Sequence, residues 1–506
     1  MGFVVSGPFK YQWHRNKKPG AVMTKPGIRE TFRLHMGWLH SWVGFIAGLV
    51  LACIFLTGTL TVFDQEITQW MQPEVPLSPS HHITPEALQT AADAVLHNQK
   101  QGRAVFINLP SARDPVLRVL HYNGTAFTGP AYDPATGLLL KGRDTEGGQF
   151  FYNFHYTLHS GRIVGGILTG LAGLFLLVAL LSGLIIHLRS IWPDMVLFRP
   201  FGPRPRAWLD AHLLTGVLFL PFLLVITYTG TIIQPYSLFA QKPRPAAATP
   251  ARHIETTALP PLFPLIEETK KRLNTQECGF ILFTPEDIRI SRSDYSSLFL
   301  TRDQAIFDRN DGHFLRIITH DSTADRPFQL ARGLHHARFS ISVLSWLYFL
   351  SGLSCTILII SGLVLFLIKR RRISGHMTVY KLAEGFCILT VVGLPISALA
   401  FLWANRLIPV SFPGRAEAEV SVFFATWTLS ATQAICFSLA RRPFAAWTMQ
   451  LITLAALGVG LPIADALMVP HPTPRNVALS CTVDIWCLIT ATAAAVAAMR
   501  LIKKTS

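Results

Sequence analysis

Two histidines stand where few polar groups are tolerated. His40 lies within the apolar stretch from His35 to Gly58, HMGWLHSWVGFIAGLVLACIFLTG, four residues before Gly44 and ahead of a Thr57-Gly58 pair. His212 opens HLLTGVLFLPFLLVITYTG, four residues before Gly216 and again ahead of a Thr-Gly pair, Thr229-Gly230. The offsets agree, since 58 − 40 = 18 and 230 − 212 = 18. An ionisable side chain in a membrane helix is costly, and its natural uses are proton, metal or electron chemistry. Its return at a fixed offset marks a repeated unit.

The repeat extends further. Asp133 stands before His159 much as Asp308 stands before His335, since 159 − 133 = 26 and 335 − 308 = 27. His40 and His212 precede those same histidines by similar steps, 159 − 40 = 119 and 335 − 212 = 123. LHSGRI from Leu158 aligns with LHHARF from Leu334, and Ser182-Gly183 with Ser361-Gly362. The chain up to Arg370 therefore reads as a tandem duplication of span, outer α+β domain, span. Duplications of this kind place their sites between the copies.

The elements that must position these histidines are membrane helices. The chain of 506 residues is 50% hydrophobic and only 15% charged, with a net charge of +16. Apolar runs of roughly the 20 residues a bilayer requires lie near 36–63, 163–188, 210–234, 341–368, 380–403, 420–440, 446–468 and 477–500, which makes about eight spans. The fold class is a polytopic α-helical membrane protein. The charge does not signal a nucleic-acid partner, because the basic residues gather beside alternate spans: Lys10 to Arg33, Arg189 to Arg206, Lys369 to Arg372, Arg441 and Arg442, and Arg500 to Lys504. The positive-inside rule then puts both termini in the cytoplasm. The long basic N-terminal stretch, with no small-residue cleavage site after the apolar run, is read as an anchor rather than a signal peptide. Of seven cysteines only Cys278 falls in a soluble segment, and neither C-x-x-C-H nor C-x-x-C occurs. Covalent c-type haem attachment is excluded on that ground, and no cysteine pair suggests a zinc or iron–sulfur site.

The expected domains are a cytoplasmic segment 1–34, a first repeat 35–190 with its outer domain at about 64–160, a loop 191–208, a second repeat 209–372 with its outer domain at about 235–338, and a membrane region of four helices at 373–506. In the first outer domain Thr84-Pro85-Glu86 reads as a helix start. Strand-like AVFINL and VLRVLHY follow, and Asp133-Pro134-Ala135-Thr136-Gly137 reads as a tight turn between two strands. The second domain repeats the turn at Asp308 to Gly312.

Residues 30–372 resemble the PepSY-associated transmembrane-helix family. The resemblance rests on the LHSWVG and AHLLTG helix starts, the YDPATG turn of a PepSY domain, and LHSGR and LHHAR followed by Ser-Gly near the helix ends; FDRNDG in the second domain and the last four spans depart from it. It implies haem b held by histidines in the bundle, electrons carried outward, and a function as an inner-membrane ferric-siderophore reductase. The expected surroundings are a bacterial inner membrane and its lipid, two periplasmic domains, a ferric siderophore as acceptor and a quinol or cytoplasmic reductase as donor.

The histidines themselves fall into two layers. A low-spin haem needs two axial imidazoles from different helices, so the expected pairs are His40 with His212 near the cytoplasmic ends, and His159 with His335 near the outer ends. Two haems b are expected. His35, His155, His187 and His336 stand close enough to exchange roles with them; His155 and His159 share a helix face, and His335 and His336 are adjacent. Gly44, Gly48, Gly58, Gly165, Gly166, Gly170, Gly173, Gly216 and Gly230 would admit a porphyrin or pack helices closely. Arg33, Arg162, Arg189 and Arg338 lie where propionates could need cations. An acceptor is expected between the two outer domains, and no catalytic side chain is assigned. No G-x-G-x-x-G follows a strand, so nicotinamide or flavin binding to this chain is not expected. The reading from another class is a non-catalytic membrane protein whose outer domains bind peptide, protease or metal chelate; a haem carrier for another acceptor is a third. In the C-terminal region Glu384, Asp465 and Asp484 sit in or near apolar runs, as helix-end groups or as proton or quinone contacts.

Overall fold

The computed structural model describes residues 28–77, 82–101, 105–122, 127–187, 198–235, 258–320, 322–323, 325–339, 342–469 and 473–505. Arg189, His81, His253 and His471 lie outside them. Among the described residues seven helices are long and apolar enough to cross a membrane, and a bent pair brings the number to as many as eight.

The membrane core is built from α1 (Ile28–Thr61), α5 (Arg162–His187), the pair α6 (Arg204–Leu218) and α7 (Leu220–Pro235), and α10 (Ser342–Ser374). Helix α1 packs on α5 and α10, α10 packs on α6, and α5 packs on α7. The straight span expected at 210–234 is instead bent by 70° between Leu218 and Leu220. Pro221 accounts for the break, since it offers no N–H to the carbonyl of Val217 and its ring crowds that carbonyl.

The two outer segments do not form separate sheets. Strands β1 (Val105–Asn108), β2 (Leu117–Tyr122), β3 (Phe127–Thr128), β4 (Ala131–Tyr132) and β5 (Leu139–Leu140) join β6 (Cys278–Phe283), β7 (Asp287–Arg292), β8 (Gln304–Asp308) and β9 (Phe314–Ile318) in one sheet of nine strands, in the order β5-β4-β2-β1-β6-β7-β8-β9 with β3 also on β2. The seam is antiparallel, with Phe106 opposite Leu282, Ile107 opposite Ile281 and Asn108 opposite Phe280. Each half alone would leave β1 or β6 as a bare edge of unpaired N–H and C=O groups. Helices α3 (Pro85–Lys100) and α8 (Leu262–Leu273) supply Ala91, Val95, Leu262 and Ile266 to a single core with Ile107, Ile281, Ile288 and Ile290. At about 1.5–3 kcal/mol for each fully buried isoleucine, this shared core favours one domain over two.

The repeated turn forms in both places. Asp133 Oδ1 accepts from the N–H of Ala135 (2.8 Å) and Thr136 (2.9 Å), and Asp308 Oδ1 accepts from the N–H of Asn310 (2.8 Å). Gly137 and Gly312 close the turns at φ +71° and +74°, the left-handed region that glycine enters without strain.

The remaining spans are α11 (Thr378–Ile388) with a π turn at Leu389–Gly393 and α12 (Leu394–Leu407), then α13 (Arg415–Leu439), α14 (Pro443–Met468) and α15 (Pro474–Thr505). Pro395, which cannot bond to the carbonyl of Val391, accounts for the π turn. They dock on α2 (Asp64–Met71) and α4 (Gly148–Thr157) through Phe150, Phe151 and Phe154 against Phe401 and Phe423. Buried charges reinforce the contact: Arg143 pairs with Glu74 and donates to the carbonyl of Asn405 (2.6 Å), Thr145 donates to Glu419 (2.5 Å), and Arg406, itself paired with Asp465 (2.7 Å), donates to the carbonyl of Trp70 (2.9 Å). Asp465, expected at a helix end or in a proton or quinone role, is an internal ion-pair partner.

Candidate functional site: two facing pairs of histidines

Four histidines face each other in two pairs. The rings of His40 on α1 and His212 on α6 have centroids 6.1 Å apart with planes at 73°. The rings of His155 on α4 and His335 on α9 (Arg326–His336) have centroids 6.0 Å apart with planes at 24°. Helix α1 passes both layers, since it carries His40 and, farther along, Ile54, whose carbonyl meets His155. At ~1.5 Å per residue the step between those positions (54 − 40 = 14) sets the layers about 21 Å apart.

Every one of the four is held in the same way. His40 Nδ1 bonds the carbonyl of Ala179 (2.8 Å), His212 Nδ1 that of Leu358 (2.9 Å), His155 Nδ1 that of Ile54 (2.8 Å) and His335 Nδ1 that of Ile226 (3.1 Å). Three residues past each carbonyl stands a hydroxyl: Ser361 donates to that same oxygen (2.8 Å), whereas Ser182, Thr57 and Thr229 donate to the carbonyl one residue earlier (2.7 Å each) and lie 3.0, 3.3 and 3.1 Å from the shared oxygen. One residue further stands a glycine against the ring. A Cβ on Gly183 would lie 2.9 Å from His40, on Gly362 3.1 Å from His212, on Gly58 2.5 Å from His155 and on Gly230 2.8 Å from His335. The hydroxyl-glycine dipeptide is therefore a cradle, and four helix segments carry one each.

The cradle fixes the tautomer. A carbonyl oxygen accepts only, so each Nδ1 carries the proton and each neutral ring keeps a bare lone pair on Nε2. Among the described residues no hydrogen bond engages those Nε2 atoms. An imidazole whose N–H is anchored on a backbone carbonyl is the usual arrangement for a metal ligand. The offset of 18 in α1 now has a physical meaning: it equals five turns at ~3.6 residues, so one face of α1 carries the ligand-ready His40 and the cradle for His155.

The pair expected between His159 and His335 does not form; His155 stands opposite His335. Helix α4 ends at Thr157, and Leu158 and His159 both adopt left-handed φ, 50° and 54°, so the chain turns away before His159. His159 packs against Phe150 (5.6 Å) and Phe424 (5.3 Å) instead. Among the other alternates, His35 is exposed and bonds the carbonyl of Thr31 in its own helix (2.8 Å), His187 is the last residue of α5, and His336 adjoins the Tyr152 ring (6.3 Å). Of the arginines, Arg33 and Arg162 are exposed, while Arg338 is half-buried, paired with Asp64 (3.2 Å) and near Asp294 (3.8 Å). Arg332, which the sequence did not single out, lies with Arg338 near His336. Gly48 and Gly216 contact Leu363 and Leu358 and serve helix packing, as does Gly173 against Thr231, whereas Gly44 faces open space.

Burial pushes the outer histidines down. His335 falls to about 4, chiefly by desolvation and then by the adjacent His155, against the carbonyl bond to Ile226 that raises it. His155 and His336 are lowered by burial as well. Between the ordinary 6.5 and about 4 the unfolded chain therefore binds more protons than the folded one, and stability falls as pH falls through that window. The thermal midpoint of the ligand-free chain is expected to drop steadily from pH 6.5 toward pH 4, and to drop less in His335→Gln; equal slopes in the two proteins would contradict the assignment.

The family model described as the PepSY-associated TM region matches residues 37–369 of the chain, a stretch that contains all four facing histidines and their cradles. No curated protein matches the chain.

Proposed function

The chain belongs to the PepSY-associated TM family, and we propose that it is a di-haem b membrane oxidoreductase that passes electrons from the basic end of the bundle to a ferric siderophore on the side of the sheet. The observation that carries this reading is the set of four anchored imidazoles with bare Nε2 atoms in two facing pairs. Two imidazoles that held one first-row metal between them, each at about 2 Å, would have ring centres roughly 6 Å apart. The separations of 6.1 Å and 6.0 Å fit.

In this reading His40 and His212 hold one haem and His155 and His335 the other. Haem b supplies a reversible Fe(III)/Fe(II) couple in each layer. The chain's own residues keep four rings neutral, fix their orientation from the backbone, and surround them with apolar helices that exclude water. Arg332 and Arg338, which lie near His336, would be the cations available to anionic substituents on the outer group. The four repeated cradles support an origin in two copies of one unit, and the basic loops support an inner membrane location with cytoplasmic termini. Reduction to Fe(II) would loosen iron from hard oxygen ligands and release it from the chelate.

A pyridine haemochromogen assay on the purified chain is expected to give two haems b per chain, and dithionite-reduced protein is expected to be reoxidised by a ferric siderophore. One haem, or none after haem-supplemented expression, rejects the two-layer arrangement. Reoxidation by quinone but by no ferric chelate rejects the acceptor and leaves the haems.

A further inference from the structure

A cavity of about 170 Å³ opens where the end of α10 meets α11 and the end of α13, lined by Arg371, His376, Tyr380, Glu384, Ser438 and Arg441 among others. One of its groups is buried without a partner, and another is held only by a long ion pair. Glu384 is 5% exposed; its charged neighbour, Arg371 Nη2, stands 3.8 Å away, beyond hydrogen-bond reach, and among the described residues nothing donates to its carboxyl group. Ser438 is 1% exposed and its Oγ has no partner among the described residues. Buried polar groups in native proteins are hydrogen-bonded, to protein, water or ligand.

The cavity is linked to the inner histidine pair along α10. Tyr380 donates its hydroxyl to the carbonyl of Leu367 (3.1 Å), and Leu367 follows Gly362, the glycine against His212, on α10. The step between them (367 − 362 = 5) is about 7.5 Å of helix. Tyr380 and Cys387 also share a core with Phe45 and Leu363.

The lining selects among ligands. Glu384 on the wall opposes a phosphate or carboxylate, while Arg371, Lys381 and Arg441 around it oppose a cation. A neutral hydroxyl satisfies both sets, donating to Glu384 and accepting from Ser438. The volume equals five or six waters at ~30 Å³ each, which is room for one substituted ring.

We propose that this cavity binds the head group of a quinol and that Glu384 accepts a proton from its hydroxyl as the quinol is oxidised. The fate of the electrons rests on the function proposed above; the binding site does not. Oxidation breaks two O–H bonds and converts the quinol to the quinone, releasing two electrons and two protons. The protons leave one after the other through the Glu384 carboxylate to water at the cavity mouth; a haem held by His40 and His212 would take the two electrons in succession, handing the first to the outer layer before receiving the second.

The test uses the purified full chain in detergent, under argon, with duroquinol as the probe. Saturable quenching of tryptophan fluorescence by duroquinol, read with any haem already reduced by dithionite, is expected in the wild type and at least tenfold weaker in Ser438→Leu, which fills the cavity. Glu384→Gln is expected to slow haem reduction by duroquinol at least tenfold relative to its reduction by dithionite. No saturable binding, binding unaffected by Ser438→Leu, or competition by inorganic phosphate overturns the quinol site. Unchanged duroquinol kinetics in Glu384→Gln overturns the proton acceptor. Saturable, Ser438-dependent binding in a chain that carries no haem leaves the site standing and rejects the proposed function instead; haem without quinol binding does the reverse.

Discussion

His155→Ala is expected to remove half of the bound haem and the outer low-spin signal, while His159→Ala leaves both haems in place. The contrast follows from geometry, because His155 faces His335 at 6.0 Å whereas His159 packs between phenylalanines. The same loss is expected from the opposite helix. A Cβ at Gly58 would sit 2.5 Å from His155 Nδ1, so Gly58→Val must push the ring off the Ile54 carbonyl, while Gly44→Ala, with nothing within 4 Å of its Cβ, should be silent. Haem content by pyridine haemochromogen and low-temperature electron paramagnetic resonance read the outcome. Loss of the low-spin signal in His159→Ala, with retention in His155→Ala, would overturn the assignment.

Asp465→Ala is expected to be the most destabilising single change in the C-terminal region. Arg406 and Asp465 are 0% and 1% exposed in their side chains and 2.7 Å apart, and the same guanidinium donates to the carbonyl of Trp70 (2.9 Å) and stacks 3.6 Å from the Trp70 ring. Removing one partner of a buried pair leaves an uncompensated charge and costs about 3–5 kcal/mol. Replacing both, as Arg406→Met with Asp465→Leu, is expected to cost much less, because no charge is stranded. Thermal unfolding of the full chain should rank the single variant well below both the double variant and wild type. Limited proteolysis should release the C-terminal helices first in the single variant, since Arg406 ties α12 to α2. Equal midpoints for single and double variants would show that the stranded charge is not what matters.

Much of the bundle was legible because helices write their periods and lengths into apolar runs. The inner histidines were legible for the same reason: His40 and His212 lie inside such runs. The outer pair was not. Choosing His155 over His159 depends on Leu158 and His159 adopting positive φ, and neither residue type announces a left-handed cap as glycine does. The Thr-Gly and Ser-Gly dipeptides were visible as repeats, but their task as cradles depends on which helices lie side by side. The joined sheet was hidden because β1 ends at Asn108 and β6 begins only at Cys278, and pairing across so much intervening chain leaves no local pattern. The pairing of Asp465 was not legible, since Arg406 meets it only when α12 packs on α14, and Glu419 meets Thr145 only when α13 packs on the outer segment.

The seam between β1 and β6 also bears on how the acceptor proposed above could be admitted. The three paired positions from Phe106 to Asn108 are extended by the N–H of Leu109 on the carbonyl of Gly279 (2.9 Å). Two lobes stitched by backbone bonds cannot open and shut about a hinge as a bivalve does, and a guest cannot be clasped between them. The two lobes move as one body, and under the function proposed above an acceptor would have to reach the outer histidines past loops and helix ends rather than through lobe motion.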